Sequence, residues 1–189
     1  MGSAVKRRQG AGVRIRHGTE ADVDEFVRIW QTIWRHSFAH VLAADPGDSR
    51  FLLGMTHQQL IPIARDIIVA TLAERVVGFA YHNLAMIEDL WVDPSSQGRG
   101  IGRALLRSAV DAIGTDGYRT ASLDCLEANI RARRFYEREQ WRPAFRYATW
   151  SQSLQRQIPR IRFEFDVWRS TGRPGRPSGS AGRPGRVTI

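Results

Sequence analysis

Short apolar runs alternate with amphipathic segments through most of the chain, and the spacing of the apolar residues predicts the type of each element. One N-terminal segment has helical spacing, with apolar residues at Val23, Phe26, Val27, Trp30, Ile33 and Trp34. Thr19, followed three residues later by Asp22, is typical of the start of that helix. Period-two or continuous apolar runs predict strands at 13–16, 67–72, 76–84, 86–92, 120–126, 145–150 and 161–167. The segment 40–65 is less regular and predicts a helix with loops.

Two more helices are predicted, at about 99–113 and at 129–139. The first has apolar residues along one side, and Arg99, Arg103 and Arg107 follow one another at four-residue spacing on another. Strands outnumber helices and are joined both by hairpins and by helical crossovers. This pattern predicts an α/β fold in one domain, with a mixed central sheet of about six to seven strands and helices on both faces.

Composition narrows the class of protein. The 189 residues are 42% hydrophobic and 25% charged, values typical of one globular domain. No apolar run approaches the roughly 18 residues of a transmembrane helix, and no apolar stretch follows the basic Met1–Arg8 segment, as a secretory signal would require. Cys125 is the only cysteine, which favours a reducing compartment. We therefore expect a cytoplasmic protein without membrane association.

The formal net charge of +9 arises mainly at the two ends of the chain. Lys6, Arg7, Arg8 and the four arginines after residue 172 contribute seven positive charges, which leaves +2 for the remainder. The segment 172–186 repeats GRPGR and lacks large apolar residues, which predicts disorder. We expect tails at 1–12 and 169–189 around a domain at 13–168. Nucleic-acid binding by the domain is not expected, although a weak contact through the tails stays an alternative.

A glycine-rich loop, QGRGIG at 97–102, lies between a predicted strand and a predicted helix. Glycines at 98, 100 and 102 allow a tight turn that presents several backbone N–H groups together, and the helix N-terminus adds partial positive charge. This arrangement favours a pyrophosphate site, which Arg99 and Arg103 would strengthen. A plain strand-to-helix turn is the alternative.

Two motifs give this loop its context. The run IEDLWVDPSSQGRGIGRALL at 87–106 resembles the acyl-CoA-binding core of the GNAT superfamily of N-acyltransferases. The run NIRARRFYE at 129–137 is similar to the second motif of that family. The resemblance is strong over 86–141 and implies a GNAT fold and an acetyl-CoA-dependent N-acetyltransferase. Gln140-Trp141 departs from the family's usual Gly-Phe after the second helix.

The resemblance also implies roles for individual residues. Backbone groups of Leu90, Trp91 and Val92 would pair with the pantetheine arm, and Asn129 would hydrogen-bond the donor. The loop amides would hold the pyrophosphate, with contributions from Gln97, Gly98, Arg99, Gly100, Ile101, Gly102 and Arg103. Tyr136 would act as the acid at the thioester sulfur. Glu88 is the candidate base, and attraction of a cationic substrate is its alternative role; strand alternation places Glu88 and Asp89 on opposite faces.

The expected reaction is direct transfer of the acetyl group to a small-molecule amine in a ternary complex. Transfer to a protein N-terminus or lysine, and a non-catalytic acyl-CoA-binding module, are the alternatives, and homodimer formation is left open. Trp30 and Trp34 are candidate acceptor-site residues, with a core role as the alternative. His36 and His40 lack a third ligand, so no metal site is predicted. Cys125 is expected to be a buried strand residue and not a nucleophile.

Overall fold

Seven strands form one sheet in the computed structural model, which describes residues 12–35, 56–152 and 154–168. In chain order the strands are β1 (Arg14–His17), β2 (Ile68–Leu72), β3 (Arg75–Asn83), β4 (Met86–Val92), β5 (Thr120–Leu126), β6 (Arg142–Ser151) and β7 (Arg156–Asp166). Their order across the sheet is β1-β2-β3-β4-β5-β7-β6. Neighbours are antiparallel except β4 and β5, which are parallel. The predicted mixed sheet is confirmed, whereas the predicted tails, apart from residue 12, lie outside the described residues.

Four helices accompany the sheet in the described ranges: α1 (Val23–Ile33), α2 (His57–Leu60), α3 (Ile101–Thr115) and α4 (Ile130–Arg138). The predicted start of α1 is confirmed, because Thr19 and Asp22 form a capping box before it. Arg16 of β1 donates two hydrogen bonds of 2.8 Å to the Asp22 carboxylate and so ties the first strand to this helix. The described part of the irregular segment 40–65 contains α2 and the start of a 3₁₀ turn at Ile61–Asp66.

The helices cover both faces of the sheet, as predicted. On one face, α3 and α4 pack over strand residues that include Ile87 and Phe163. On the other face, α1 buries Phe26 against Phe79 of β3, with ring centroids 5.0 Å apart. A Cβ atom at Gly78 would lie only 2.8 Å from the Trp91 carbonyl oxygen and 3.1 Å from a Leu105 methyl group, so glycine is needed where α3 approaches β3.

The two parallel strands separate toward their C-terminal ends. β4 pairs with β5 at two positions, Met86 with Ser122 and Ile87 with Leu123, whereas β5 pairs with β7 along its whole length. The chain leaves β4, passes through α3 and returns as β5. This arrangement opens a gap between the C-terminal halves of β4 and β5, next to the N-terminus of α3.

Among the described residues, no helix is sufficiently long and apolar to cross a membrane.

Candidate active site

The glycine-rich loop has the geometry expected of an anion-binding turn. Gly98 and Gly100 both have φ of +78°, a conformation that favours glycine, and no atom lies within 4 Å of an added Cβ at either position. Gly100 is the N-cap of α3 and supplies no side-chain cap. The N–H groups of the first helical turn therefore have no acceptor within the helix. Open space, exposed amides and the positive end of a helix together fit a phosphate-bearing ligand.

Polar contacts hold this loop at the end of β4. The Gln97 side chain donates a hydrogen bond of 3.1 Å to the Val92 carbonyl. The Asp93 carboxylate accepts from the backbone and hydroxyl of Ser95 and from Nη1 of Arg28, at 3.0, 2.7 and 3.0 Å. Burial opposes ionisation of Asp93, but the hydrogen bonds from Ser95 and Arg28 outweigh it and keep the pKa of this carboxyl below its usual value. Because Arg28 belongs to α1, its ion pair with Asp93 ties α1 to the loop.

The other predicted loop residues differ in what they can offer a ligand. Ile101 is 1% exposed, so only its backbone is available. Arg99 is exposed at the tip of the loop. Arg103 is also exposed, but its Nε donates a 2.7 Å hydrogen bond to Glu139 just after α4. Gly102 faces Phe135 of α4, with 3.5 Å from its ideal Cβ position to the ring, which brings the two helices close together.

Glu88 occupies a β-bulge in β4. Tyr81 of β3 pairs with Asp89 and the next residue, His82, pairs with Ile87, so Glu88 is the extra residue. The expectation that Glu88 and Asp89 point to opposite faces therefore needs correction, because strict alternation does not hold through a bulge. Burial, with further contributions from Asp89 and Asp124, raises the pKa of Glu88, and Arg162 partly opposes this rise.

Tyr136 lies on α4 in an aromatic environment. Its ring centroid is 5.7 Å from Phe163 and 6.3 Å from Trp141. Burial raises the pKa of its hydroxyl, so Tyr136 keeps its proton at neutral pH. Asn129, at the start of the same helix, accepts a 3.1 Å hydrogen bond from the Ala132 amide and acts as the N-cap. Because the Asn129 side-chain oxygen already has a partner, the side-chain amide nitrogen is the group available to hydrogen-bond a ligand.

The C-terminus of α4 contains the departure from the family pattern. Gln140 has φ of +68°, the conformation in which glycine is the usual residue. A non-glycine residue in this conformation costs some local stability. It affects the turn that leads into Trp141 and does not involve the loop or the β4 bulge.

The remaining candidates do not extend the site. Trp30 and Trp34 are 8% and 2% exposed and stack on each other at 6.4 Å, which fits their alternative role as core residues; contact with an acceptor stays a prediction. His36 and His40 lie outside the described residues. No group of three metal-ligating side chains occurs in the part of the chain that the structure describes. Burial raises the pKa of Cys125 to about 12.

Sequence reasoning missed a polar group on β5, β6 and β7. Asp124 accepts two hydrogen bonds from Arg162, at 2.5 and 2.9 Å, and Tyr147 hydrogen-bonds within the same group. These residues belong to no local motif. They meet because of the strand register, which the apolar pattern alone does not determine.

Comparisons with known proteins agree with this arrangement. Residues 22–140 match the model of the acetyltransferase (GNAT) family. A comparison with curated protein sequences gives no match. Three similar solved structures are an N-acetyltransferase, PaiA, of Thermoplasma acidophilum in complex with coenzyme A, a putative acetyltransferase, YncA, of Salmonella typhimurium with acetyl-CoA, and the ribosomal-protein-S18-alanine N-acetyltransferase of Escherichia coli.

These structures share the fold at low sequence identity. Their TM-scores are 0.65, 0.61 and 0.61, at 16%, 17% and 18% identity. Each alignment covers 82% of this chain and, in the same order, 99%, 94% and 94% of the other. The separated parallel strands and the glycine loop at a helix N-terminus define an α/β acyltransferase fold. The family model matches more than half of the residues of this chain, so the chain belongs to the acetyltransferase (GNAT) family.

Proposed function

We propose that the protein transfers an acetyl group from acetyl-CoA to a small-molecule amine in the cytoplasm. The observation that carries the proposal is one juxtaposition: an amide-rich loop with open space around its glycines adjoins the gap between β4 and β5. Family membership supports acyl transfer. The neighbours solved with coenzyme A and acetyl-CoA support the choice of donor.

Donor binding is assigned to the loop and to β4. The amides of 97–102 would hold the pyrophosphate, and Arg99 would add positive charge at the exposed tip. Backbone groups of Leu90, Trp91 and Val92 would pair with the pantetheine arm along the gap, although the Val92 carbonyl also accepts from Gln97. Asn129 would donate its free amide hydrogens from the start of α4, and Arg103 would contribute from α3, where it pairs with Glu139.

The bound donor supplies a thioester, and the residues of this chain manage the protons around it. Glu88 would accept a proton from the substrate ammonium, directly or through water, because only the neutral amine has a free electron pair. As the new C–N bond forms and the C–S bond breaks, Tyr136 would give its proton to the departing sulfur. The second proton, which the nitrogen loses on becoming an amide, would return to the Tyr136 oxygen, directly or through water. The products are an N-acetylated amine and the free thiol of coenzyme A. A backbone N–H, best assigned to Leu90, would stabilise the developing negative oxygen.

The chemistry of Cys125 favours direct transfer over an acylated protein. A nucleophilic cysteine needs a lowered thiol pKa, whereas burial raises this one to about 12. Cys125 is also only 4% exposed. We therefore place both substrates in the site at the same time.

Tyr136→Phe tests the assignment of the acid. The ring and its packing stay, while the group that protonates sulfur is lost, so acetyl-CoA affinity should change little and kcat should fall about 100-fold. The measurement is thiol release under saturating donor, with calorimetry for donor binding. The loss should become smaller with an acyl donor whose thiol is more acidic. Equal losses for all donors, or full activity, would show that Tyr136 only shapes the site.

A further inference from the structure

A row of side chains crosses four strands beside the gap. Glu88 and Asp124 follow Ile87 and Leu123, the last paired residues of β4 and β5, and the Asp124 carboxylate is near enough for its charge to raise the pKa of Glu88. Asp124 pairs with Arg162 of β7, which in turn pairs with Phe145 of β6. We call Glu88, Asp124, Arg162 and Phe145 the transverse row.

The transverse row lies on the sheet face opposite α3 and α4. Cys125 and Ile161 belong to the core under those helices, and strand alternation directs their neighbours Asp124 and Arg162 to the other face. α3 and α4 cover the first face and carry the donor loop and Tyr136. An acceptor can therefore reach the thioester from the face that carries the row.

Arg162 is already fully engaged by Asp124 along one edge of its guanidinium. Nε and Nη2 donate to the two carboxylate oxygens at 2.5 and 2.9 Å. The pair is sheltered, with 26% of the Arg162 side chain and 15% of the Asp124 side chain exposed. This two-bond geometry is the one with which an arginine binds the carboxylate of a ligand. Asp124 thus occupies the edge that a substrate carboxylate would need.

The rest of the row favours an amine with an apolar body. The guanidinium carbon of Arg162 lies 5.7 Å from the Phe145 ring and 6.0 Å from the Tyr147 ring, and Phe145 is 52% exposed. The Glu88 carboxylate makes no hydrogen bond or ion pair with any of the described residues. With Arg162 neutralised by Asp124, the remaining charge of the transverse row is the negative charge of Glu88.

We propose that Asp124 is a specificity-determining residue that excludes amino acids as acceptors; this inference rests on the proposed function. The preferred acceptors are primary amines with an apolar or aromatic group and no carboxylate on the carbon that bears the nitrogen. The ammonium is bound beside Glu88, and the apolar group lies against Phe145 and Tyr147. A substrate carboxylate in this place would have to displace Asp124 from Arg162. The energetic cost of breaking that pair discriminates against amino acids.

A matched pair of acceptors tests this specificity. 2-Phenylethylamine and phenylalanine differ only by the carboxylate, and kcat/KM for each is measured by thiol release. The wild-type chain should favour the amine by at least about tenfold, ~1.4 kcal/mol. Asp124→Asn frees the arginine edge and should reduce this ratio about tenfold or invert it. The control Glu127→Gln weakens the exposed Arg146–Glu127 pair on the same sheet and should leave the ratio unchanged.

A second variant covers the case in which Asp124→Asn does not fold. Arg162→Gln removes the cation and frees Asp124, so the preference for the amine should be kept or increased. Calorimetric binding of both probes to the coenzyme A-loaded chain repeats the comparison without turnover. If neither probe is acetylated but the amine binds more tightly, the proposed transfer fails and the specificity stands. Equal or tighter binding of phenylalanine to the wild type, or a ratio unmoved by Asp124→Asn, would overturn the inference.

Discussion

At the scale of single residues, Glu88 illustrates how local backbone geometry creates a candidate base. The sequence predicts a carboxylate in the strand before the glycine loop, but it does not predict the bulge, since that depends on pairing with β3. Glu88 lies at this bulge, is half-buried, and is close to Asp124. Burial and the neighbouring carboxylates raise its pKa, which moves a glutamate toward the range useful for a base near neutral pH.

Glu88→Gln should alter the pH dependence of the reaction as well as its rate. A base works only when deprotonated, so wild-type kcat/KM should fall as the pH drops through the raised pKa of Glu88. The loss in the variant should be largest at the acidic end of the profile and become smaller toward the pKa of the amine, about 10 for a primary alkylamine. A pH–rate profile with 2-phenylethylamine measures this.

Asp89→Asn is the matched control. Asp89 raises the pKa of Glu88 through its charge, so its removal should shift the acidic limb to lower pH and keep the base. A uniform loss in Glu88→Gln that appears only as a higher acceptor KM would assign Glu88 to charge attraction.

At the scale of elements, the apolar pattern was most informative where burial is strong. β4 and β5 occur at the predicted ranges, 86–92 and 120–126, because their apolar residues are locally continuous or alternating. β6 (Arg142–Ser151) is longer than predicted at both ends, and β7 (Arg156–Asp166) begins before the predicted 161 and ends one residue before the predicted 167. The added residues are mostly polar and carry no strand signal, but pairing between β6 and β7 stabilises them. The loop and α4 motifs are contiguous in the sequence and could be predicted from it. The Asp124–Arg162 pair depends on pairing between strands, which the sequence pattern does not determine.

Gly100→Ala tests the loop as a phosphate-binding element. Alanine disfavours φ of +78°, so the loop should relax and acetyl-CoA affinity should fall about tenfold, ~1.4 kcal/mol. Gly117→Ala is a close control, because Gly117 also has positive φ, +93°, and open space around its Cβ position but lies after α3. Calorimetry should show weaker binding in the first variant and unchanged binding in the second. Equal affinities would remove the loop from the donor site.

Arg28 links α1 to the loop, and its removal should affect donor binding from a distance. Arg28→Met leaves the 8%-exposed Asp93 side chain without its cation and should weaken acetyl-CoA binding threefold to tenfold, about 0.7–1.4 kcal/mol. Glu25→Gln changes only the contact of Arg28 within α1 and should have little effect on affinity. Calorimetry with both variants decides this; similar affinities for Arg28→Met and the wild type would mean that the loop holds its shape without α1.

At the scale of the whole molecule, our proposals place the two substrates on opposite faces of the sheet. One face carries α3, α4 and the proposed donor groups, and the opposite face carries the transverse row. The gap between β4 and β5 joins the two faces in this account. Glu88 belongs to β4, and Tyr136 belongs to α4. This division explains why a motif search finds the donor site, which is built from contiguous segments. The proposed acceptor side is assembled from four strands, and its residues are not contiguous in the sequence.

The central claim is direct acetyl transfer from acetyl-CoA to an amine at this gap. Its most direct measurement is mass spectrometry of the protein and the small molecules after incubation with acetyl-CoA, with and without 2-phenylethylamine, alongside thiol release. We predict one acetylated amine for each thiol released, no acetyl group on the protein in the absence of the amine, and about 100-fold slower product formation with Tyr136→Phe. A stable acetylated protein formed before the amine is added, or donor binding without any acetylated amine, would contradict the account.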